Sequence, residues 1–133
     1  MKHAIVVEDD PHNATLFRKL LEKRLGFSVL LTRDPRELFA AMAGGGVDLV
    51  IMDVSLKGSE WDGHPVNGVE LCRLLKSDPS SAHVPVLLAT AHAMRGDAER
   101  LLAESGADQY VSKPIVEHDV FVACVRELVR EAA

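Results

Sequence analysis

No stretch of this 133-residue chain stays apolar for the roughly 18 residues that a bilayer-spanning helix requires. The opening MKHAIVVEDD turns acidic where a signal peptide would still be apolar, so the expectation is a cytoplasmic protein without a membrane partner. The sequon at Asn13 is then a chance match. Basic tracts are also missing, and a net charge of -5 argues against direct nucleic-acid binding. Cysteine is scarce: Cys72 and Cys124 both fall inside helical patterns and read as small buried apolar residues rather than as a disulfide. The six histidines show no H-x3-H spacing and there is no C-x2-C pair, so a zinc site is not supported. What is present, 47% hydrophobic and 26% charged residues, is the composition of a globular domain large enough for a genuine core, read here as one domain spanning 1–133.

Five short apolar runs stand out: AIVV (4–7), SVLLT (28–32), DLVIM (48–52), VPVLLAT (84–90) and QYVS (109–112). They are continuously apolar or β-branched rather than alternating, as in strands covered on both faces. Helical patterns lie between them. Phe17, Leu20, Leu21 and Leu25 share one face, as do Ala98, Leu101, Leu102 and Ser105, and later Phe121, Val125, Leu128 and Val129. Asp10-Pro11 and Asp34-Pro35 read as N-cap and first helical residue, with Glu37 at a capping-box position. Gly26 sits where a glycine should end the first helix, and GGG at 44–46 is a plain connection between helix and strand. Strict alternation of strand and helix predicts an α/β fold: a doubly wound, five-stranded parallel sheet. Ligands of such sheets bind beyond the carboxyl ends of the strands, where the winding reverses.

Those ends carry chemistry. The first strand ends in Glu8-Asp9-Asp10 and the third in Asp53. If the two strands are neighbours, their carboxylates converge, repel and raise one another's pKa, and a hard divalent cation such as Mg2+ relieves this. Asp10 is adequately explained as a helix cap; Asp9 and Asp53 are not. The fourth strand ends in Thr90, and the fifth is followed by Lys113-Pro114. Two acids, a hydroxyl and a lysine on four parallel strand ends describe a site for a metal and a phosphoryl group.

The segments IVVEDDP, DLVIMDVSL, LLATAHAM and YVSKPI, in that order, resemble the four signatures of the response-regulator receiver domain of two-component signalling, and the likeness runs from His3 to Glu131. The resemblance implies the CheY-like strand order 2-1-3-4-5. It also implies that Asp53 accepts a phosphoryl group from a sensor histidine kinase or a histidine phosphotransfer protein. Asp9 then ligates Mg2+ directly, Glu8 acts mostly through water, and the Ser55 backbone carbonyl completes the protein's share. Thr90 is the switch hydroxyl, Lys113 pairs with the phosphoryl oxygens, Tyr110 is the aromatic that reports activation, and Lys113-Pro114 is a cis peptide. Ser55 and His92 lie where the family tunes hydrolytic water. A downstream target would be met by the surface of the fourth helix, fifth strand and fifth helix. Such a chain promotes its own aspartyl phosphorylation and dephosphorylation without being a conventional enzyme. With no output domain after the fifth helix, a stand-alone receiver is the expectation.

Three rivals share parts of this pattern. A phosphatase of the haloacid-dehalogenase type needs a second aspartate two residues after the nucleophile, where this chain has Ser55. A flavodoxin-like cofactor binder needs a Gly-, Ser- or Thr-rich phosphate loop after the first strand, where this chain has EDDPHN. A scaffold receiver without phosphochemistry usually lacks a key group, and none is lacking here. The main departure from the family is the connection after Asp53. Lys57 stands at the family's usual proline, and VELCRLLK makes Gly68 the best match for the glycine that starts the third helix, although Asp62-Gly63 competes. The extended connection, about 57–67, carries the turn signals DG, HP and NG and the only tryptophan, Trp61. It is expected to be irregular, with no added helix or strand. Trp61 either folds onto the nearest apolar patch or is offered to a partner.

Overall fold

The computed structural model describes residues 2–56, 58–91 and 96–132. In chain order the elements are β1 (His3–Val7), α1 (Pro11–Lys19), β2 (Ser28–Thr32), α2 (Pro35–Ala43), β3 (Leu49–Asp53), β4 (Glu60–Trp61), β5 (His64–Pro65), α3 (Gly68–Ser77), β6 (Val86–Thr90), α4 (Asp97–Ser105), β7 (Gln109–Ser112) and α5 (His118–Ala132). The main sheet is parallel, in the order β2-β1-β3-β6-β7. This is the expected winding, with the two added strands forming a separate hairpin.

The unbroken apolar strands are explained by two cores, one on each face. Ala4, Val6, Leu49, Ile51, Leu87 and Ala89 pack with Phe17 and Leu21 of the first helix and Phe121, Val122 and Val125 of α5. The intervening residues Ile5, Val7, Val50, Met52, Val86 and Leu88 face Leu38 and Met42 of α2 and Leu71, Cys72 and Leu75 of α3. Successive side chains thus enter opposite cores, so a polar residue inside a strand would be buried on either face. The Phe17 and Phe121 rings, 5.5 Å apart, join α1 to α5. Cys72 is buried and Cys124 half-buried, and both are free thiols. No helix among the described residues is long and apolar enough to cross a membrane.

The helix starts follow the sequence signals. Asp10 caps α1 by accepting from the His12 amide, and Asp34 caps α2 by accepting from the Arg36 amide, each followed by proline. The reciprocal capping box is found at α3: Asn67 accepts from the Glu70 amide at 2.9 Å while Glu70 accepts from the Asn67 amide at 3.2 Å. The helix begins at Gly68, which settles the alignment against Asp62-Gly63. The first helix widens at its end into a π turn, Leu20–Arg24, and closes with the Gly26 amide on the Glu22 carbonyl.

The expectation of an irregular connection after Asp53 is overturned. Glu60 pairs with Pro65 and Trp61 with His64, antiparallel, around Asp62-Gly63. Both turn residues have positive φ, 55° and 78°, the conformation of a two-residue type I′ turn whose twist matches its flanking strands. So short a hairpin is not stable alone. It is held by the Trp61 ring, 4.4 Å from that of Phe39 on α2, and by buried Ser59, whose hydroxyl donates to the Arg33 carbonyl at 3.1 Å.

Candidate functional site

Parallel packing of β1 beside β3, and of β6 beside β3 and β7, brings four strand ends to one rim of the sheet. Glu8 follows β1, Asp53 ends β3, Thr90 ends β6 and Lys113 follows β7. The backbone fixes these ends through the ladder itself. The Glu8 amide donates to the Thr32 carbonyl, the Val54 amide to the Ala89 carbonyl and the Lys113 amide to the Thr90 carbonyl, at 2.8 to 3.1 Å.

Carboxylate oxygens of Glu8, Asp9 and Asp53 lie within 4.8 Å of one another. The side chains of Glu8 and Asp53 are only 1% and 2% exposed, and that of Lys113 10%. Two acids shielded this well would repel at full strength, and Lys113 prevents it. Its ammonium donates to Asp53 Oδ1 at 2.8 Å and to Glu8 Oε1 and Oε2 at 3.0 and 3.3 Å. Asp53 Oδ1 also accepts from the Ser55 amide at 3.1 Å, and Glu8 Oε2 from the Asp9 amide at 3.2 Å.

The ionisation states follow. Burial first, and then the neighbouring Asp53 carboxyl, push Glu8 up to about 7, against the lowering pull of Lys113. For Asp53, burial works upward, but hydrogen bonds from Glu8, Lys113 and the Ser55 amide outweigh it and hold the acid below the ordinary aspartate value. Burial would lower Lys113, and its bonds to Asp53 and Glu8 raise it instead. Near neutrality Asp53 is therefore an anion beside a cation, and Glu8 is part-protonated. One lysine against three carboxyl groups leaves the cluster with negative charge to spare. The donor set is all oxygen, which suits a hard divalent cation; Asp9, Asp53 and Glu8 are the residues that could hold one.

Of the other residues named from the sequence, Thr90 is buried beside this cluster in the ladder, paired in register with Ser112. Tyr110, one strand further out, is half-buried against the core under α2 and α3. Lys113-Pro114 is a cis peptide, as expected. Asp10 stays a cap, its carboxylate also accepting from the Asn13 amide group at 2.7 Å. Trp61 folds onto Phe39 of α2. His92 and Lys57 lie outside the described residues. Sequence reading missed Ser59 and Phe39, the anchors of the hairpin; Asp62-Gly63 marked its turn but not its strands. A groove of about 1010 Å³ is lined by the hairpin and by residues 33–36.

Comparisons with known proteins bear on the fold and the family. The family model of the response regulator receiver domain matches residues 4–125. The polar-differentiation response regulator DivK of Brucella anthropi is 37% identical over 114 residues, covering 86% of this chain and 85% of that protein. The signal receiver domain of a histidine kinase from Syntrophus aciditrophicus superposes with a TM-score of 0.80 at 28% identity, over 98% of this chain and 92% of that one. The receiver domain of the Pseudomonas aeruginosa sensor kinase PA1611, solved with magnesium in its active-site cleft, shares the fold with a TM-score of 0.79 at 24% identity, over 97% and 98% of the two chains. The chain belongs to the response regulator receiver domain family of two-component signalling.

Proposed function

We propose that Asp53 accepts a phosphoryl group from the histidine of a sensor kinase or of a histidine phosphotransfer protein, and that its phosphorylation switches a surface read by a partner. The observation that carries this is the Lys113 ammonium bonded to both Asp53 and Glu8 inside a three-carboxylate cluster. Asp53, held ionised, needs no general base to attack; the bond from its carboxylate oxygen to phosphorus forms as the donor's bond from nitrogen to phosphorus breaks. A Mg2+ ion held by Asp9, Asp53 and the Ser55 carbonyl, with Glu8 behind a water, would supply the charge neutralisation that lets an anionic donor approach. Lys113 can follow the charge from the carboxylate to the phosphoryl oxygens without moving far, and Thr90 offers its hydroxyl to the same group. Inward movement of Thr90 and rearrangement of Tyr110 would carry the change to the face formed by α4, β7 and α5. The chain is thus a stoichiometric acceptor that promotes its own phosphorylation and dephosphorylation. Ser55 and His92, two residues past Asp53 and Thr90, are assigned the tuning of hydrolytic water. The hairpin is assigned to recognition of the phosphodonor protein: Trp61 sets its posture against Phe39, leaving Glu60, Asp62 and His64 exposed.

Acetyl phosphate with Mg2+ should add one phosphoryl mass to the wild-type chain and none to folded Asp53→Ala, by intact-mass measurement; an unlabelled wild type rejects the proposal. After donor removal, decay of that mass should change rate in His92→Ala, and an unchanged decay removes His92 from the hydrolytic step. Because Glu8 holds its proton below about 7, a cation must displace it there. Apparent Mg2+ affinity should therefore weaken as pH falls through 7, by up to about tenfold per unit. Titrations across that range read the slope, and Glu8→Gln should flatten it. Trimming residues 59–65 to a short turn should slow transfer from the cognate kinase while sparing acetyl phosphate; equal kinase rates would return the hairpin to a packing role.

A further inference from the structure

Six glycines in the described chain have positive φ, and Gly68 is not one of them. Its backbone would suit any residue, so conformational freedom does not explain it. Close approach does. A Cβ placed on Gly68 would overlap the Asp53 carbonyl oxygen outright, with the Asp53 carbonyl carbon at 2.7 Å and Met52 Cγ at 3.0 Å. At every other described glycine the nearest atom to such a Cβ is 3.5 Å away or more. The obstacle at Gly68 is main chain, which cannot rotate aside as a side chain would.

We propose that Gly68 is a positioning residue for Asp53, an inference that rests on the reading of Asp53 as phosphoacceptor. The Gly68 amide donates to the Val54 carbonyl at 3.1 Å, so the first residue of α3 is bonded to the strand end at the place where it also touches Asp53. Neither partner has room to yield independently. Asn67 and Glu70 cap the helix, and Leu71, Cys72 and Leu75 bury it. Asp53 is held by the β3–β6 ladder and by the Val54 amide on the Ala89 carbonyl. A methyl group at position 68 would push the Asp53 peptide back by about 1 Å, a displacement of the size that costs up to a hundredfold when it misplaces a reacting group. The carboxylate would turn with its backbone, away from the 2.8 Å bond to Lys113 and the 3.1 Å bond to the Ser55 amide.

The same contact explains how the inserted hairpin is tolerated. The chain leaves β3 at Val54 and is tied back to it by the Gly68 amide on the Val54 carbonyl, so the hairpin springs from a closed base. Gly63 serves a different purpose: its φ is 78°, and nothing lies within 4 Å of a Cβ built there.

The test is phosphorylation by acetyl phosphate and Mg2+ at varied donor concentration in wild type, Gly68→Ala and Gly26→Ala. Gly26 has a φ of 70° and open space around it, so its alanine variant is strained far from the pocket. Gly68→Ala should lose roughly ten- to a hundredfold in maximal rate with unchanged half-saturation. Gly26→Ala should keep the wild-type rate despite a lower denaturation midpoint. A wild-type rate in folded Gly68→Ala, or losses in both variants that track stability, overturns the inference while leaving the acceptor reading intact; an unlabelled wild type overturns both. If Gly68→Ala does not fold, the wild-type amide resonances decide. The Gly68 signal should move with those of Val54 and Ser55 on loading with beryllofluoride and Mg2+, and a Gly68 signal unmoved while Val54 shifts refutes the contact's role.

Discussion

An ammonium group shared between two buried carboxyl groups is the interaction on which the site depends. Lys113 is 105 residues from Glu8 and 60 from Asp53, so only the completed sheet can bring the three together. Once together, they must remain so, because either acid without the lysine would be a nearly uncompensated buried charge. The lysine cannot neutralise both acids and Asp9 as well. That residual negative charge suits the cluster to a divalent cation, while the hydrogen bonds on Asp53 keep it in its charged form. Attraction and deficit come from one arrangement.

Much of this was legible in the sequence because the features concerned are local or periodic. Buried parallel strands show as unbroken apolar runs, since both faces are covered, and the Asp-Pro pairs mark the starts of α1 and α2 as local chemistry dictates. The site residues were legible because alternation of strand and helix forces their strand ends to one rim. The hairpin was not. Its strands are two residues each, too short to show a period, and its stabilising partner Phe39 lies in another element. Nor could the ionisation of Glu8 be read, because acidic residues that look alike in sequence differ in depth: Glu8 is buried, Asp9 half-buried and Asp10 occupied as a cap.

The molecule divides its labour between rigid and adjustable parts. Asp53, Glu8 and Lys113 are tied to the central strands, where β1 and β3 are buried almost throughout. Among the described residues the hairpin is held by the Trp61 ring on Phe39 of α2 and by the Ser59 hydroxyl on the Arg33 carbonyl before it, away from the ladder of the main sheet. On the opposite flank, Lys76 of α3 donates to the Ala82 and Val84 carbonyls and to Asp108, tying α3 to the turn before β7.

The hydrogen bond between the Val54 carbonyl and the Gly68 amide has a consequence for descent. A loop whose two ends meet in a single bond can be lengthened, shortened or replaced with little change at its base, because each added residue alters only the closure entropy, and that grows slowly. Length can therefore vary close to the buried Asp53 carboxylate without passing through it. The hairpin could be exchanged in one insertion or deletion, leaving the strand end that carries Asp53 where it stands.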